Sequence, residues 1–135
     1  MSLNDEERDL MIKLYLEKSN ETFEDARSCI ESGRWNAAAN RLYYALFHSI
    51  AALFVSDGIS IGSHKGAKAK FGEHYVLSGL ACVEDAKLLS QMETLRERAD
   101  YDAVFKANES IVKERFMLVE QMLKNVRALI DRERI

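Results

Sequence analysis

Proline is absent from the 135-residue chain, and glycine occurs only six times. Proline breaks helices and glycine loosens them. Their scarcity excludes collagen-like, linker-rich and polyproline-rich chains and favours long uninterrupted helices. The two cysteines, Cys29 and Cys82, are too few for a disulfide framework or a metal quartet. Both are expected to be small buried apolar residues in a reducing, cytoplasmic setting. No apolar run reaches the ~18 residues that a membrane span needs. The opening MSLNDEERDL is acidic and carries no apolar stretch of the signal-peptide kind, so no membrane association is expected. His64 and His74 lie ten apart with no cysteine or acid cluster beside them, which makes zinc improbable. No metal and no cofactor is expected.

What is present is a balanced, slightly acidic chain. A net charge of −3 and a pI near 5.7 argue against a protein coated for DNA. The distribution is uneven, however. Residues 33–72 hold Arg34, Arg41, Lys65, Lys68 and Lys70 against the single acid Asp57, so any anion is expected to be met there. The length is that of one compact unit, and residues 1–135 are read as a single domain.

The hydrophobic spacing predicts an all-α, up-and-down bundle of about five helices. Asn4 caps the first, with Asp5, Glu6 and Glu7 in its opening turn. Its apolar positions run through Leu10, Leu14, Phe23, Ala26 and Ile30 to a stop at Gly33. The second begins at Trp35 or Asn36 and ends at Asp57, closed by Gly58. Its sequence, WNAAANRLYYALFHSIAALFVS, is apolar on nearly every side and is expected to be the central helix. After the loop GISIGS, Ser63 caps a third helix over HKGAKAKFGEHYVL, which Ser78 and Gly79 end. A fourth spans roughly Val83 to Ala99. Asp100 to Ala107 reads as an extended connector, and Asn108 caps a last helix through Ile130.

The second helix holds the most informative pair of residues. Between Trp35 and Ser56 it has one charged residue, Arg41, and one imidazole, His48. Two helical turns separate them, so they share a stripe with Tyr44 between. Burying an unpaired guanidinium costs several kcal/mol, of order ~3–5, so the stripe must face a partner, a cleft or another subunit. Ala37, Ala45 and Ala52 are read on the same face, where small side chains admit a second helix; a two-fold dimer contact is the simplest form. Histidine moves protons near neutral pH and arginine offers a fork matched to phosphate. Two such pairs across a dimer groove suffice for RNA cleavage without metal. The plainer reading pairs Arg41 with an acid such as Asp100 and leaves His48 as a satisfied core histidine.

Other features rank lower. Gly62-Ser-His-Lys-Gly66 followed by Lys68 and Lys70 places cations at a helix start, as a solvated face or a partial RNA-steering patch; it fits no phosphate-loop register. Arg96 and Asp100 form an ordinary i, i+4 pair, and Asp100 is the carboxylate expected to orient Arg41 or His64. Tyr43, Tyr44, Phe47 and Phe54 read as core.

The segment RLYYALFHSIAAL, preceded by SGRWNAAANR and followed by SHKGAKAKFGEHYV and LRERADYD, resembles the HEPN domain proteins of the small prokaryotic kind often encoded beside a minimal nucleotidyltransferase. The ordered marks are Arg-x6-His at Arg41 and His48, Tyr-Tyr-Ala at 43–45, His-Lys-Gly at 64–66, and Arg96 with Asp100 and Tyr101. The resemblance covers most of residues 8–130. It implies an all-α bundle that dimerises and, in members with this motif, a metal-independent endoribonuclease that often serves as a toxin. Arg41 and His48 then become the catalytic candidates, with Tyr44, His64, Lys65, Lys68 and Asp100 in substrate-binding or supporting roles. The implied partners are a second copy, RNA and a nucleotidyltransferase antitoxin. Members silenced by nucleotide attachment carry a tyrosine two residues after the motif histidine; Ile50 stands there in this chain, so that control is not expected. The alternative is a non-catalytic dimeric adaptor that binds a partner protein or nucleotide.

Overall fold

A computed structural model describes residues 3–132 and contains five α-helices and no strand among them. They are α1 (Asp5–Glu31), α2 (Trp35–Asp57), α3 (His64–Phe71), α4 (Val83–Tyr101) and α5 (Glu109–Asp131). The all-α expectation holds. The start of α1 is fixed by a reciprocal capping box: the Glu7 N–H donates to Asn4 Oδ1 and the Asn4 N–H to the Glu7 carboxylate. Ser63 and Asn108 cap α3 and α5 by accepting from the Gly66 and Ile111 N–H groups. α2 ends at Gly58, whose φ of 72° is the left-handed cap that a side chain would strain.

α2 is the axis of the bundle. Leu42, Leu46, Leu53 and Phe54 are wholly buried, and α1, α4 and α5 all pack against it. The short turn after α1 folds α2 back along it, and Ser19 of α1 donates a 2.8 Å hydrogen bond to the Ala45 carbonyl. α5 contributes Val112, Val119, Met122 and Val126 to the core, and α4 contributes Leu88, Leu89 and Met92. Phe23 of α1 stacks on Phe116 of α5 with ring centroids 4.6 Å apart.

Several local expectations are corrected. α3 stops at Phe71, and the chain continues as a π-helical turn over Gly72–Val76, where the Leu77 N–H reaches back to the Gly72 carbonyl. The wider turn aims Tyr75 into the core, where its hydroxyl donates to Asp57 at 2.6 Å. α4 runs to Tyr101, two residues past its expected end, so Asp100 belongs to the helix and not to the connector. The connector that follows is tied to the start of α2 by one side chain. Asn36 donates to the Phe105 carbonyl and accepts from the Ala107 N–H. Cys82 is exposed and Cys29 only half-buried, so neither is the buried apolar residue expected. Leu10 and Leu14 keep 55% and 48% of their surface, so the first half of α1 presents apolar side chains outward. Ala45 and Ala52 are completely buried inside the chain while Ala37 is exposed. Ala45 and Ala52 therefore admit neighbouring helices of the same chain, while Ala37, one turn before Arg41, stays uncovered.

Candidate functional site

Arg41, Tyr44 and His48 leave α2 on one stripe, as helical spacing requires, and all three are half-buried. Tyr44 is the hub. Its ring lies 5.6 Å beneath the Arg41 guanidinium, 5.7 Å beneath that of Arg96, 6.2 Å from the His48 ring and 5.7 Å from the His64 ring. Two cations against one aromatic ring gain from its quadrupole, and the arrangement gathers positive charge around Tyr44.

Arg41 is not held by Asp100, contrary to expectation. Its Nε and Nη2 donate to Asn40 Oδ1 at 2.9 and 2.7 Å, and Asn40 Nδ2 donates in turn to the Asp100 carboxylate at 3.0 Å. A side-chain amide has both an acceptor and donors, so Asn40 links the carboxylate to the guanidinium without neutralising the latter. The direct cation beside Asp100 is Arg96, at 3.7 Å.

His48 has a different environment. Its Nδ1 is buried and has no hydrogen-bond partner, so it is not the satisfied core histidine of the plainer reading. Burial, first, and then the charges of Lys18, Arg41 and His64 hold its pKa below the ordinary value of 6.5. Each favours the neutral ring, because a second positive charge there would be desolvated and repelled. At neutral pH His48 is therefore a free base with an unused ring nitrogen.

His64 arrives from the first turn of α3. Its ring packs on Phe47 with centroids 4.2 Å apart, and Nδ1 shares a 2.9 Å hydrogen bond with the Tyr43 hydroxyl. Tyr43 is 1% exposed, and burial, followed by the charge of Glu93, drives its pKa far upward. The phenol keeps its proton at neutral pH, and the 2.9 Å contact anchors the His64 ring to the buried Tyr43.

Of the residues anticipated from sequence, Arg41, Tyr44, His48 and His64 stand together, and Asp100 joins them through Asn40. The lysines do not. Lys68 pairs with Glu93 at 3.5 Å, Lys70 donates to the Ser60 carbonyl at 2.6 Å, and Lys65 is exposed on the outer side of α3. The residues missed were Asn40, Tyr43 as the His64 anchor, and Lys18 of α1. Asn40 adjoins Arg41 in the chain, and an amide beside a buried-helix arginine is the signal that marked it. No three His, Cys, Asp or Glu side chains among the described residues are placed to share a metal ion, and no helix among them is long and apolar enough to cross a membrane.

An all-α bundle whose central helix carries an arginine and a histidine on one stripe is the class defined by fold and site together. The sequence comparison agrees with it. The HEPN domain pattern matches residues 12–132, and the chain belongs to the HEPN family. A UPF0332 protein of Thermotoga maritima is 30% identical over 125 residues, covering 93% of this chain and 95% of that one. A protein of Methanocaldococcus jannaschii named "Putative toxin MJ0605" is 28% identical over 122 residues, 88% and 91% of the two chains. A second protein of that organism, named "Putative toxin MJ0142", is 26% identical over 88 residues, 65% and 60%.

Proposed function

We propose that this HEPN protein is a metal-independent endoribonuclease acting as a toxin, with Arg41 and His48 as its catalytic residues. The observation that carries the reading is the stripe itself: a half-buried histidine kept neutral, its buried Nδ1 without a hydrogen-bond partner, two helical turns from a half-buried arginine over the shared Tyr44 ring. A structural histidine would have its nitrogens satisfied. The names of the two archaeal relatives support the toxin role.

The chemistry follows from the two side chains. Neutral His48 takes the proton of a ribose 2′-OH, and the 2′ oxygen attacks the adjacent phosphorus. The bond from phosphorus to the 5′ oxygen breaks, that oxygen takes a proton from solvent water, and the imidazolium formed at His48 returns its proton to solvent. Arg41 holds the non-bridging oxygens as charge builds on them. The products are a 2′,3′-cyclic phosphate and a 5′-hydroxyl. Leu10, Leu14 and Lys18 share one stripe of α1 at i, i+4 and i+8, and Lys18 acts on His48. The exposed leucines therefore flank the site and supply apolar surface for a homodimer. The expected partner that restrains the toxin is a nucleotidyltransferase, and the setting cytoplasmic.

The test is product chemistry. Purified protein incubated with a mixed-sequence single-stranded RNA in EDTA should yield 2′,3′-cyclic phosphate and 5′-hydroxyl ends. Intact RNA under those conditions, or 5′-phosphate ends, rejects the mechanism. One observation favours the adaptor reading: Arg41 is already engaged by Asn40 and Tyr44. An adaptor leaves RNA intact and loses dimerisation or thermal stability when His48 is removed.

A further inference from the structure

Beside the Arg41 and His48 stripe lies a second feature that the cleavage chemistry does not use. A cleft of about 650 Å³ opens where α4 meets α2 and α3, within the size range of small-ligand sites. Tyr44 and His64 form the side toward the stripe, and Arg96, Glu97, Arg98, Tyr101 and Asp102 supply the rest. Two residues there call for a ligand. Arg96 is 7% exposed, yet its Nε has no hydrogen-bond partner, and its two carboxylates stand at 3.7 and 3.9 Å, beyond hydrogen-bonding distance. The guanidinium rests on the Tyr43 and Tyr44 rings at 5.1 and 5.7 Å, but so few acceptors around a buried cation are costly, and an acceptor delivered through the cleft to its Nη groups would relieve it. Tyr101, by contrast, keeps 79% of its surface at the rim, where its ring is free to take a second aromatic face.

The charges indicate what that ligand is. Arg96 and Arg98 are met by Glu97 and Asp102 in the same cleft, so a phosphate dianion would be repelled as much as held. A neutral heteroaromatic with both donors and acceptors on its edge suits the mixture: arginines address carbonyl and ring-nitrogen acceptors, and carboxylates address amino and imino donors. Aromatic side chains supply the stacking that single-stranded nucleic acid seeks. We infer that this cleft is a subsite for an unpaired nucleobase, stacked on Tyr101 and hydrogen-bonded by Arg96, belonging to the nucleotide next to the phosphate at Arg41 and His48. Tyr44 touches both places and sets their adjacency. The inference rests on the RNA reading for its biological substrate, and it narrows that substrate to single-stranded or looped RNA.

The test separates the two. The whole protein, isotopically labelled, is titrated with 5′-GMP, whose base offers acceptors at O6 and N7 and donors at N1 and N2, and separately with inorganic phosphate at equal concentration. Amide resonances of His64, Arg98 and Tyr101 should move with GMP and stay in place with phosphate. Tyr101→Ala should weaken GMP binding at least about fivefold with an unchanged melting temperature, and Tyr101→Phe should restore it. Unmoved cleft resonances, equal shifts with phosphate, or unaltered affinity in Tyr101→Ala would overturn the subsite. RNA cleavage with no response in the cleft defeats this inference alone. GMP seated in the cleft of a protein that leaves RNA intact defeats the cleavage reading alone.

Discussion

Replacing Asn40 with alanine isolates the device that holds Arg41. The variant loses two hydrogen bonds from the guanidinium, at 2.9 and 2.7 Å, and one to Asp100 at 3.0 Å. Bonds to charged groups contribute about 1.5–3 kcal/mol when buried and nearer ~0.2–1 kcal/mol at exposed ion pairs. Arg41 and Asn40 are half-exposed, which places the combined loss at roughly 1–1.5 kcal/mol between those limits. Alanine regains up to about 0.7 kcal/mol in helix propensity. The net cost is then about 0.3–0.8 kcal/mol, or a fall of roughly 1–4 °C in melting temperature for a chain of this size. The effect on rate should be larger. A donor that is no longer aimed at the developing charge gives up part of the ~100- to 1000-fold that such groups supply, and a loss of about tenfold in kcat is expected, with KM little changed. The assay pairs thermal melting with single-turnover cleavage of a labelled RNA. Asn40→Asp retains an acceptor for Arg41 and should recover part of the rate. Wild-type kcat in Asn40→Ala, with melting lowered as calculated, would refute a positioning role and leave Asn40 structural only.

Three further outcomes follow from the same geometry. Because the folded state holds His48 below its ordinary pKa, the unfolded chain binds more protons in the interval between the two values. The stability His48 contributes is complete above about pH 6.5 and is lost as pH falls through the folded-state pKa; the acid limb of the cleavage profile should likewise have its midpoint below 6.5, and a midpoint above it contradicts a depressed general base. Leu46→Ala, at a wholly buried position of α2, should cost about 2–5 kcal/mol by urea denaturation, and a loss under about 1 kcal/mol would show that α2 is not the packed axis. Leu14→Glu places a charge on the exposed leucine stripe of α1 and should convert a dimer to a monomer in sedimentation velocity; an unaffected dimer would move the interface elsewhere.

Much of the fold is legible because the chain punctuates itself. Asn4, Gly33, Gly58, Ser63 and Asn108 mark helix ends in the sequence, and each holds such an end in the structure. The misreadings have local causes. Nothing in GEHYV distinguishes α from π hydrogen bonding, since the choice follows from seating Tyr75 in the core and not from propensity. Leu10 and Leu14 fit a core-facing spacing, but the spacing does not reveal which apolar face the bundle leaves uncovered. The stripe of Arg41, Tyr44 and His48 needed only helical geometry. Its surroundings needed tertiary structure: Asp100 lies sixty positions from Asn40, and only the packing of α4 on α2 brings the two together. Helical spacing therefore gave Asp100 its partner Arg96, and what it did not give was the Asn40 amide that stands between this carboxylate and Arg41.

The measurement that bears most directly on the central claim is the cleavage rate of His48→Ala and Arg41→Ala against the wild type, on one single-stranded RNA, with helix content and melting recorded for each. His48 is half-buried with an unsatisfied nitrogen, so its removal should leave the fold intact. Each variant should retain wild-type circular dichroism and lose at least about a hundredfold in rate. Cleavage persisting at the wild-type rate in both folded variants would contradict the assignment of the site.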